Sequence, residues 1–372
     1  MPLNIFQKLY HKDLQKAYRG FTATGGTIIL DNVIGDIPDL QTYFEDLRKN
    51  LSLKDKILIS YHNPAWEPIL TLSTKLKLRQ KVGIQNWLDQ EDLKNVLGLS
   101  GFEVINSEKR FFGITAITIA KPNPPSPRLR KDKYSVSIII PARNEEGNIS
   151  KIIPSIPKFG KWQEIIFVEG NSTDKTWRII NKQISKSTNK QIRIRSFKQK
   201  GKGKADAVKL GFEKATGDIL MIYDADRTVN ASDLLKFYNA LAEYPHAFVN
   251  GNRLLYPMEK DAMQTLNKIG NKFFGTLFTW ILGTRFKDTL CGTKALLRRD
   301  FVKYKRDYNK YLKIDPFGDF ALIFTAIKHN LKVIEIPVSY KERVYGSTNI
   351  NRFRHGLLLF KMAFEAFLEF KT

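Results

Sequence analysis

The sequence predicts an α/β protein made of two sheets in series, on three observations. Apolar runs of strand length alternate with helical patterns through most of the chain, the rhythm of strands covered by helices. At 121–133 the alternation breaks into KPNPPSPRLRKDK, four prolines and five basic residues in thirteen positions, which favours an extended, hydrated spacer. The apolar run Ile219 to Tyr223 passes straight into Asp224-Ala225-Asp226, so two carboxylates stand just beyond a strand, where open α/β sheets hold ligands. At 372 residues, 42% apolar and 26% charged, the chain has the length and composition for two globular domains.

The expected organisation is a first α/β segment over 1–120, the spacer over 121–133, a larger α/β domain over 134–345, and a basic loop with an amphipathic helix over 346–372. In the first segment Thr27 to Leu30 and Lys56 to Ser60 read as buried strands. Asp39 to Leu51 and Glu91 to Leu99 read as amphipathic helices, and Gly101 stands where a C-cap glycine is expected. Phe102 to Ile105 and Ile114 to Ala120 add two strands, and the segment shows no catalytic constellation.

The second domain opens with YSVSIIIPARNEEGNI. Val136 to Ile140 is β-rich and ends at Pro141, and a polar turn leads into a helix at about Glu146, so Ala142 to Glu145 occupy a natural ligand position. Glu164 to Val168 forms a second strand before EGNSTDKTW, where Ser172, Thr173 and Asp174 suit a turn and cap. Gln191 to Ser196 is the third strand and Ile219 to Tyr223 the fourth. Further on, YLKIDPFGDFALIFTAIKHN sets Asp319 at the mouth of an amphipathic helix, with Asp315 just ahead.

Carboxylates at i and i+2 of an extended segment share one face, and leaving both ionised and unpaired is costly. A divalent cation removes that cost, and Mg²⁺ or Mn²⁺ commonly completes its shell with substrate phosphates. There it offsets charge on a diphosphate leaving group. An ordinary acidic turn would read the same in isolation, so the surrounding motifs decide. The formal net charge of +24 calls for an acidic partner: nucleic acid, anionic lipid or a phosphorylated small molecule. Cys291 is the sole cysteine, which excludes an intramolecular disulfide or thiolate zinc cluster and fits a reducing, cytoplasmic compartment. The first residues carry too much charge for a signal peptide, and no run reaches the ~18–20 apolar residues of a spanning helix.

SIIIPARNEEGNI, IIFVEGNSTDKT and GKGKADAVKLGFEKATGDILMIYDAD, in that order, resemble the family 2 glycosyltransferases of the GT-A fold over Tyr134 to about Asn349. Through KDTLCGTKALLRRDF and YKERVYGST the chain looks most similar to enzymes of the polyprenyl-phosphate hexose synthase type. The resemblance implies a GT-A sheet with helices on both faces. It also implies inverting transfer of a hexose from a nucleotide-diphosphate sugar, with Mg²⁺ or Mn²⁺, to a polyprenyl phosphate or a cell-envelope glycan, and no nucleic acid partner. By position, Pro141, Ala142 and Glu145 would hold the nucleobase and ribose, and Lys204 would meet the diphosphate. Asp224, Ala225 and Asp226 would take the ribose and metal roles, with Asp224 and Asp226 as metal ligands. Asp319 would be the general base for an acceptor hydroxyl, with Asp315 competing for that role. Where the family usually shows two aspartates after the second strand, this chain has Glu169 and Gly170; Glu169 stays in the donor set, but UDP and GDP remain open. Arg343, with Arg352 and Arg354 around Gly346-Ser347, would close over the donor, since the guanidinium fork suits phosphate.

Upstream, TIILDNVIGDIPD, ISYHNPAWEPIL and QNWLDQEDLKNVLGLSGFEV resemble the later half of a class I S-adenosylmethionine-dependent methyltransferase. The family's glycine-rich turn and acidic ribose-binding residue have no counterpart, since Gly25-Gly26 comes too late. The expectation is thus a smaller, incomplete methyltransferase-like domain with no methyl transfer of its own, either vestigial or docking a partner methyltransferase. A membrane-bound scaffold of that kind is the alternative to an enzyme. Gly356 to Phe370 carries Lys361, Glu365 and Glu369 as one polar stripe, and Phe273 to Leu282, between Lys272 and Arg285, is a second apolar surface. Such surfaces either pack into the domain or lie on an anionic membrane, here its inner face.

Overall fold

The computed structural model describes residues 26–77, 86–110, 113, 115–124, 133–186, 192–256, 258, 265–315, 317–346 and 352–372. The chain divides into two compact units, Met1–Arg128 and Leu129–Thr372.

The first unit runs β1 (Thr27–Asp31), α1 (Leu40–Lys49), β2 (Lys56–His62), α2 (Glu67–Lys75), α3 (Gln90–Leu99), β3 (Phe102–Arg110) and β4 (Thr115–Pro122). Its sheet order is β1-β2-β4-β3, with β1 parallel to β2 and β4 antiparallel to both neighbours. Alternate residues of β2 and β4 are buried, the two-residue period of a half-covered sheet. Local signals set the helices. Asp39 accepts from the Thr42 amide at the start of α1, and Asp89 and Asp92 cap α3 reciprocally. Gly101 follows α3 at φ +82°, the left-handed conformation glycine supplies after a helix. Helix α2 was not anticipated, because it buries none of its residues and so carries no inward stripe. The spacer starts later than Lys121: Lys121 and Pro122 belong to β4, where Lys121 lies opposite Glu103 with Nζ 3.0 Å from its carboxylate. Gly25 and residues 125–132 of the expected spacer lie outside the described residues.

The second unit runs β5 (Val136–Ala142), α4 (Glu146–Ser155), β6 (Gln163–Glu169), α5 (Thr176–Lys186), β7 (Ile192–Lys198), α6 (Gly203–Lys214), β8 (Ile219–Ile222), α7 (Leu234–Glu243), β9 (Ala247–Asn252), α8 (Thr265–Leu282), β10 (Lys294–Leu297), α9 (Arg298–Leu312), α10 (Asp319–Lys328), β11 (Lys332–Pro337) and α11 (Arg352–Phe370). Seven strands form one sheet in the order β11-β9-β10-β8-β5-β6-β7. All neighbours are parallel except β10, which is antiparallel to β8 and β9. Ile139, Ile166, Leu220, Phe248 and Leu296 project into a core with α6, α8, α9, α10 and α11. The alternating residues Ile138, Ile165, Met221 and Val249 are also buried, and α7 packs against β9 and β10. A sheet covered on both faces makes its central strands continuous apolar runs, which is why β5, β6 and β8 were legible.

The connectivity fixes where a ligand can sit. From β5 the chain builds outward through β6 and β7, then returns through α6 to place β8 on the other side of β5. Strand order reverses between β5 and β8, and the loops leaving their carboxyl ends part to open a crevice.

Candidate active site

The loop after β8 holds Asp224 and Asp226 at that crevice, with Ala225 buried between them. Asp226 is fixed by its own turn, its Oδ1 accepting from the Thr228 amide at 3.1 Å and hydroxyl at 2.9 Å. Arg227 takes φ +59° to make this turn. Asp224 is met by Lys204, whose Nζ lies 2.8 Å from Oδ1 and 3.0 Å from Oδ2. Lys204 is the second residue of α6, just inside a helix N-terminus.

The same ammonium lies 3.9 Å from Oδ1 of Asp319, the first residue of α10. A second cation, the fully buried Lys294 at the start of β10, stands 3.3 Å from that oxygen and donates to the Cys291 carbonyl. Asp224, Lys204, Asp319 and Lys294 thus form one chain of alternating charge. Burial by itself would lower the Lys204 pKa, but Asp224 and Asp319 outweigh it and hold the ammonium well above its ordinary range. Asp226 is shifted upward, first by burial and then by the neighbouring Asp224 charge.

Asp315 and Asp319, left in competition by the sequence, have separate places. Asp315 is spent on the backbone: it accepts from the amides of Phe317 at 2.9 Å and of Phe320 and Ala321 at 2.8 Å each. Burial pushes its pKa up to about 6 against those bonds. Asp319 faces the cations instead.

The loops after β5 and β6 are tied together. Asn144 Oδ1 accepts from the Thr173 amide at 2.9 Å, Asp174 accepts from the Glu146 amide at 3.2 Å, and Ala142 O accepts from the Gly170 amide at 2.9 Å. Pro141 and Ala142 end β5, paired with Val168 and Glu169. The buried Glu169 carboxylate accepts from the Ser172 amide, so it shapes its own loop rather than meeting Asp224 or Asp226. Glu145 is buried too, taking 2.7 Å from Asn148 Nδ2 and a guanidinium N–H from Arg343. Burial raises its pKa to about 7 although Asn148 and Arg343 pull it down. Arg343 also lies 3.8 Å from Asp226 Oδ2 and donates to the Tyr345 carbonyl at 2.8 Å. The Tyr345 ring rests over Gly147, where a Cβ would meet it at 2.4 Å. The segment carrying Arg343 therefore lies across the first motif and reaches the carboxylate pair. Ser347 and the side chains of Arg352 and Arg354 lie outside the described residues.

Three features were not singled out in sequence, although Gly292, Lys294 and Asp288 all lie in the KDTLCGTKALLRRDF motif. Gly292 presses its Cα on the Asp224–Lys204 pair, so that a Cβ would lie 2.0 Å from Asp224 Oδ2. Lys294 is a fully buried lysine inside a short strand. Asp288, fully buried, receives Arg253 through Nε at 2.7 Å and Nη2 at 2.9 Å, and Asn271 at 2.9 Å.

Residues 137–304 match the family model "Glycosyl transferase family 2". That match covers 168 of the chain's 372 residues, all within the second unit. Among relatives, the glycosyltransferase AglJ of Haloferax volcanii is 28% identical over 229 residues, 61% of this chain and 70% of that protein. The probable glycosyltransferase YdaM of Bacillus subtilis is 37% identical over 103 residues, 26% of this chain and 24% of that one. The dolichol-phosphate mannosyltransferase of Pyrococcus furiosus is 27% identical over 222 residues, 58% and 59% of the two chains. The last two matches thus span less than two thirds of the relative.

Proposed function

We propose that the second unit transfers a hexose from a nucleoside diphosphate sugar to a polyprenyl phosphate, with inversion. The observation that carries this is Lys204 lying between Asp224 and Asp319 at the switch point of the sheet. Three charged roles of a glycosyl transfer (metal, diphosphate, acceptor) then fall within one ammonium's reach.

The residues fit a divalent cation. Asp224 and Asp226 bring two carboxylates together in the loop after β8. Among the described residues no group of three or more His, Cys, Asp or Glu could hold a metal ion, so the rest of the shell would have to come from substrate and water. Mg²⁺ or Mn²⁺ is commonly held by one or two carboxylates and completed by substrate phosphates. Bound there, it would offset charge on the departing nucleoside diphosphate. Lys204 and the first amides of α6 bind the same diphosphate, as helix N-termini do. The loops tied together after β5 and β6 bound the place for the nucleoside. Glu169 supports that wall from behind, so the base is left to the backbone and Glu145. Arg343 closes the donor side.

In a single displacement the acceptor oxygen attacks the anomeric carbon as the carbon–oxygen bond to the diphosphate breaks, and the electron pair leaves with the diphosphate. A hydroxyl acceptor would give its proton to Asp319. A lipid phosphate is already anionic and brings no such proton, so Asp319 then orders Lys204 and Lys294. The relative from Pyrococcus furiosus is named for a dolichol-phosphate acceptor, which supports the lipid reading. Nucleotide release from UDP- and GDP-linked hexoses, with Mn²⁺ and a polyprenyl phosphate, tests the proposal. Wild type is expected to turn over one donor class and Asp226→Ala neither; equal release by both proteins removes the enzyme reading.

The first unit is proposed as half of a methyltransferase fold without methyl transfer of its own. Its final strand, inserted antiparallel between β2 and β3, supports that reading. Stoichiometric uptake of tritiated S-adenosylmethionine would overturn it.

A further inference from the structure

Helices α8 and α11 pack side by side. The rings of Phe274 and Phe360 lie 5.1 Å apart, and Trp280 stacks on Phe367 at 5.8 Å. Their inner faces, including Phe274, Phe278, Met362 and Ala366, belong to the core. Phe278 rests on Phe320 of α10 at 4.7 Å, next to Asp319.

Their outer faces are apolar as well. On α8, Ile269, Phe273 and Trp280 are 59%, 51% and 60% exposed; on α11, Leu357, Phe360, Phe364 and Leu368 are 73%, 52%, 62% and 45% exposed. The spacings are those of one stripe per helix, and Phe273 and Phe360, 5.9 Å apart, join the two stripes. Apolar surface gathered in this way marks an interaction site rather than the scattered exposure of an ordinary surface.

Charge identifies what covers it. The exposed polar residues on these helices include Lys272, Thr276, Lys361, Glu369 and Lys371. Lys371 stands 5.9 Å from the Trp280 ring. The exposed Glu369 is paired at the surface with Lys310 at 2.7 Å, Tyr311 at 2.8 Å and Lys328 at 3.1 Å, so its charge is offset by the domain's own cations, and Glu365 is half-buried. A second copy would bring lysine against lysine in a chain of net charge +24. An anionic bilayer offers opposite charge at its surface and hydrocarbon beneath, where tryptophan and phenylalanine sit at the boundary and lysines reach back to the headgroups.

We propose that the outer faces of α8 and α11 form one docking surface for an anionic bilayer, with both helices lying in the interfacial plane. This puts Asp319 one helix layer from the lipid. Delivery of a lipid-borne acceptor there rests on the functional reading above; the docking does not.

Flotation of the full chain with phosphatidylcholine vesicles, with and without phosphatidylglycerol, tests the surface in the absence of donor. Wild type is expected to float with phosphatidylglycerol vesicles at low salt and to be released at high salt. The variant L357E/F364E, altered at exposed positions, is expected to bind at least ~100-fold more weakly, each apolar side chain being worth more than a factor of ten, with donor hydrolysis unchanged. The proposal is overturned if wild type ignores anionic vesicles at low salt, or if the variant floats equally well. It is also overturned if wild type sediments as a dimer that the variant converts to monomer, since a second copy then covers the face.

Discussion

Gly292→Ala perturbs the site without touching a charged group. The added Cβ would lie 2.0 Å from Asp224 Oδ2 and 2.2 Å from Lys204 Nζ, where real contacts stay beyond 3.0 Å. Both atoms must withdraw by roughly 1 Å, a displacement that at a reacting centre costs on the order of 10²-fold in rate. The fold loses far less, because both atoms end flexible side chains. Moving each off its rotamer costs about 0.5–1.5 kcal/mol, and an ion pair whose partners are 27% and 31% exposed contributes at most about 1 kcal/mol. Calorimetry should therefore show Tm lowered by several degrees, at ~2–4 °C per kcal/mol for a domain of this size, while kcat/KM for donor turnover falls about 100-fold. Because Gly292 acts through Lys204, combining Gly292→Ala with Lys204→Ala should cost less than the product of the single effects. Wild-type turnover by Gly292→Ala, or strict additivity in the double variant, would refute the reasoning.

The other expectations follow from particular contacts. Asp315→Ala removes the acceptor of three amides at the start of α10 and should cost about 0.5–2 kcal/mol in urea unfolding with transfer retained. Asp319→Asn instead leaves the fully buried Lys294 without its carboxylate and should cost about 3–5 kcal/mol and also lower transfer to a hydroxyl acceptor. Full transfer by Asp319→Asn with loss in Asp315→Ala would exchange their roles. Arg253→Met leaves the fully buried Asp288 without its cation and should destabilise by about 3–5 kcal/mol, so an unshifted Tm would contradict the burial argument. Glu145 has its pKa raised by burial to about 7. Protonation favours its folded form, so the contribution is complete below the unfolded value of 4.5 and is lost as pH rises through 7. With a chelator present, unfolding free energy should lose on the order of 3 kcal/mol across that window, and Glu145→Gln should flatten the slope; identical pH profiles for the two proteins would reject it.

The strands that carry the site were legible because a sheet covered on both faces makes β5 and β6 uninterrupted apolar runs. Asp224 and Asp226 could be placed because β8 ends at them. The far side of the sheet was hidden by polar residues that the fold buries. Strand β9 contains Asn250 and Asn252, both almost wholly buried, and β10 begins with the buried Lys294, so neither reads as a core strand from composition. Asp315 and Asp319 could not be separated in sequence, since either suits a helix N-terminus; only the direction of the amides decides. Gly292 has no side chain to notice, and its role exists only through what it lets approach. In α11 the expected polar stripe divides. Glu369 pairs with two lysines of the domain at the surface while Lys361 is exposed, and Met362 and Ala366 turn to the core, so the helix both completes the core and presents an apolar face.

The central claim is that Asp224 and Asp226 hold a divalent cation against a nucleoside diphosphate. Electron paramagnetic resonance of Mn²⁺ measures this directly, since the signal of free ion falls as ion is bound. With wild type and UDP or GDP, the free signal is expected to fall well below that with nucleotide alone, and Asp226→Ala is expected to restore it. Equal signals for the two proteins with both nucleotides would contradict the account.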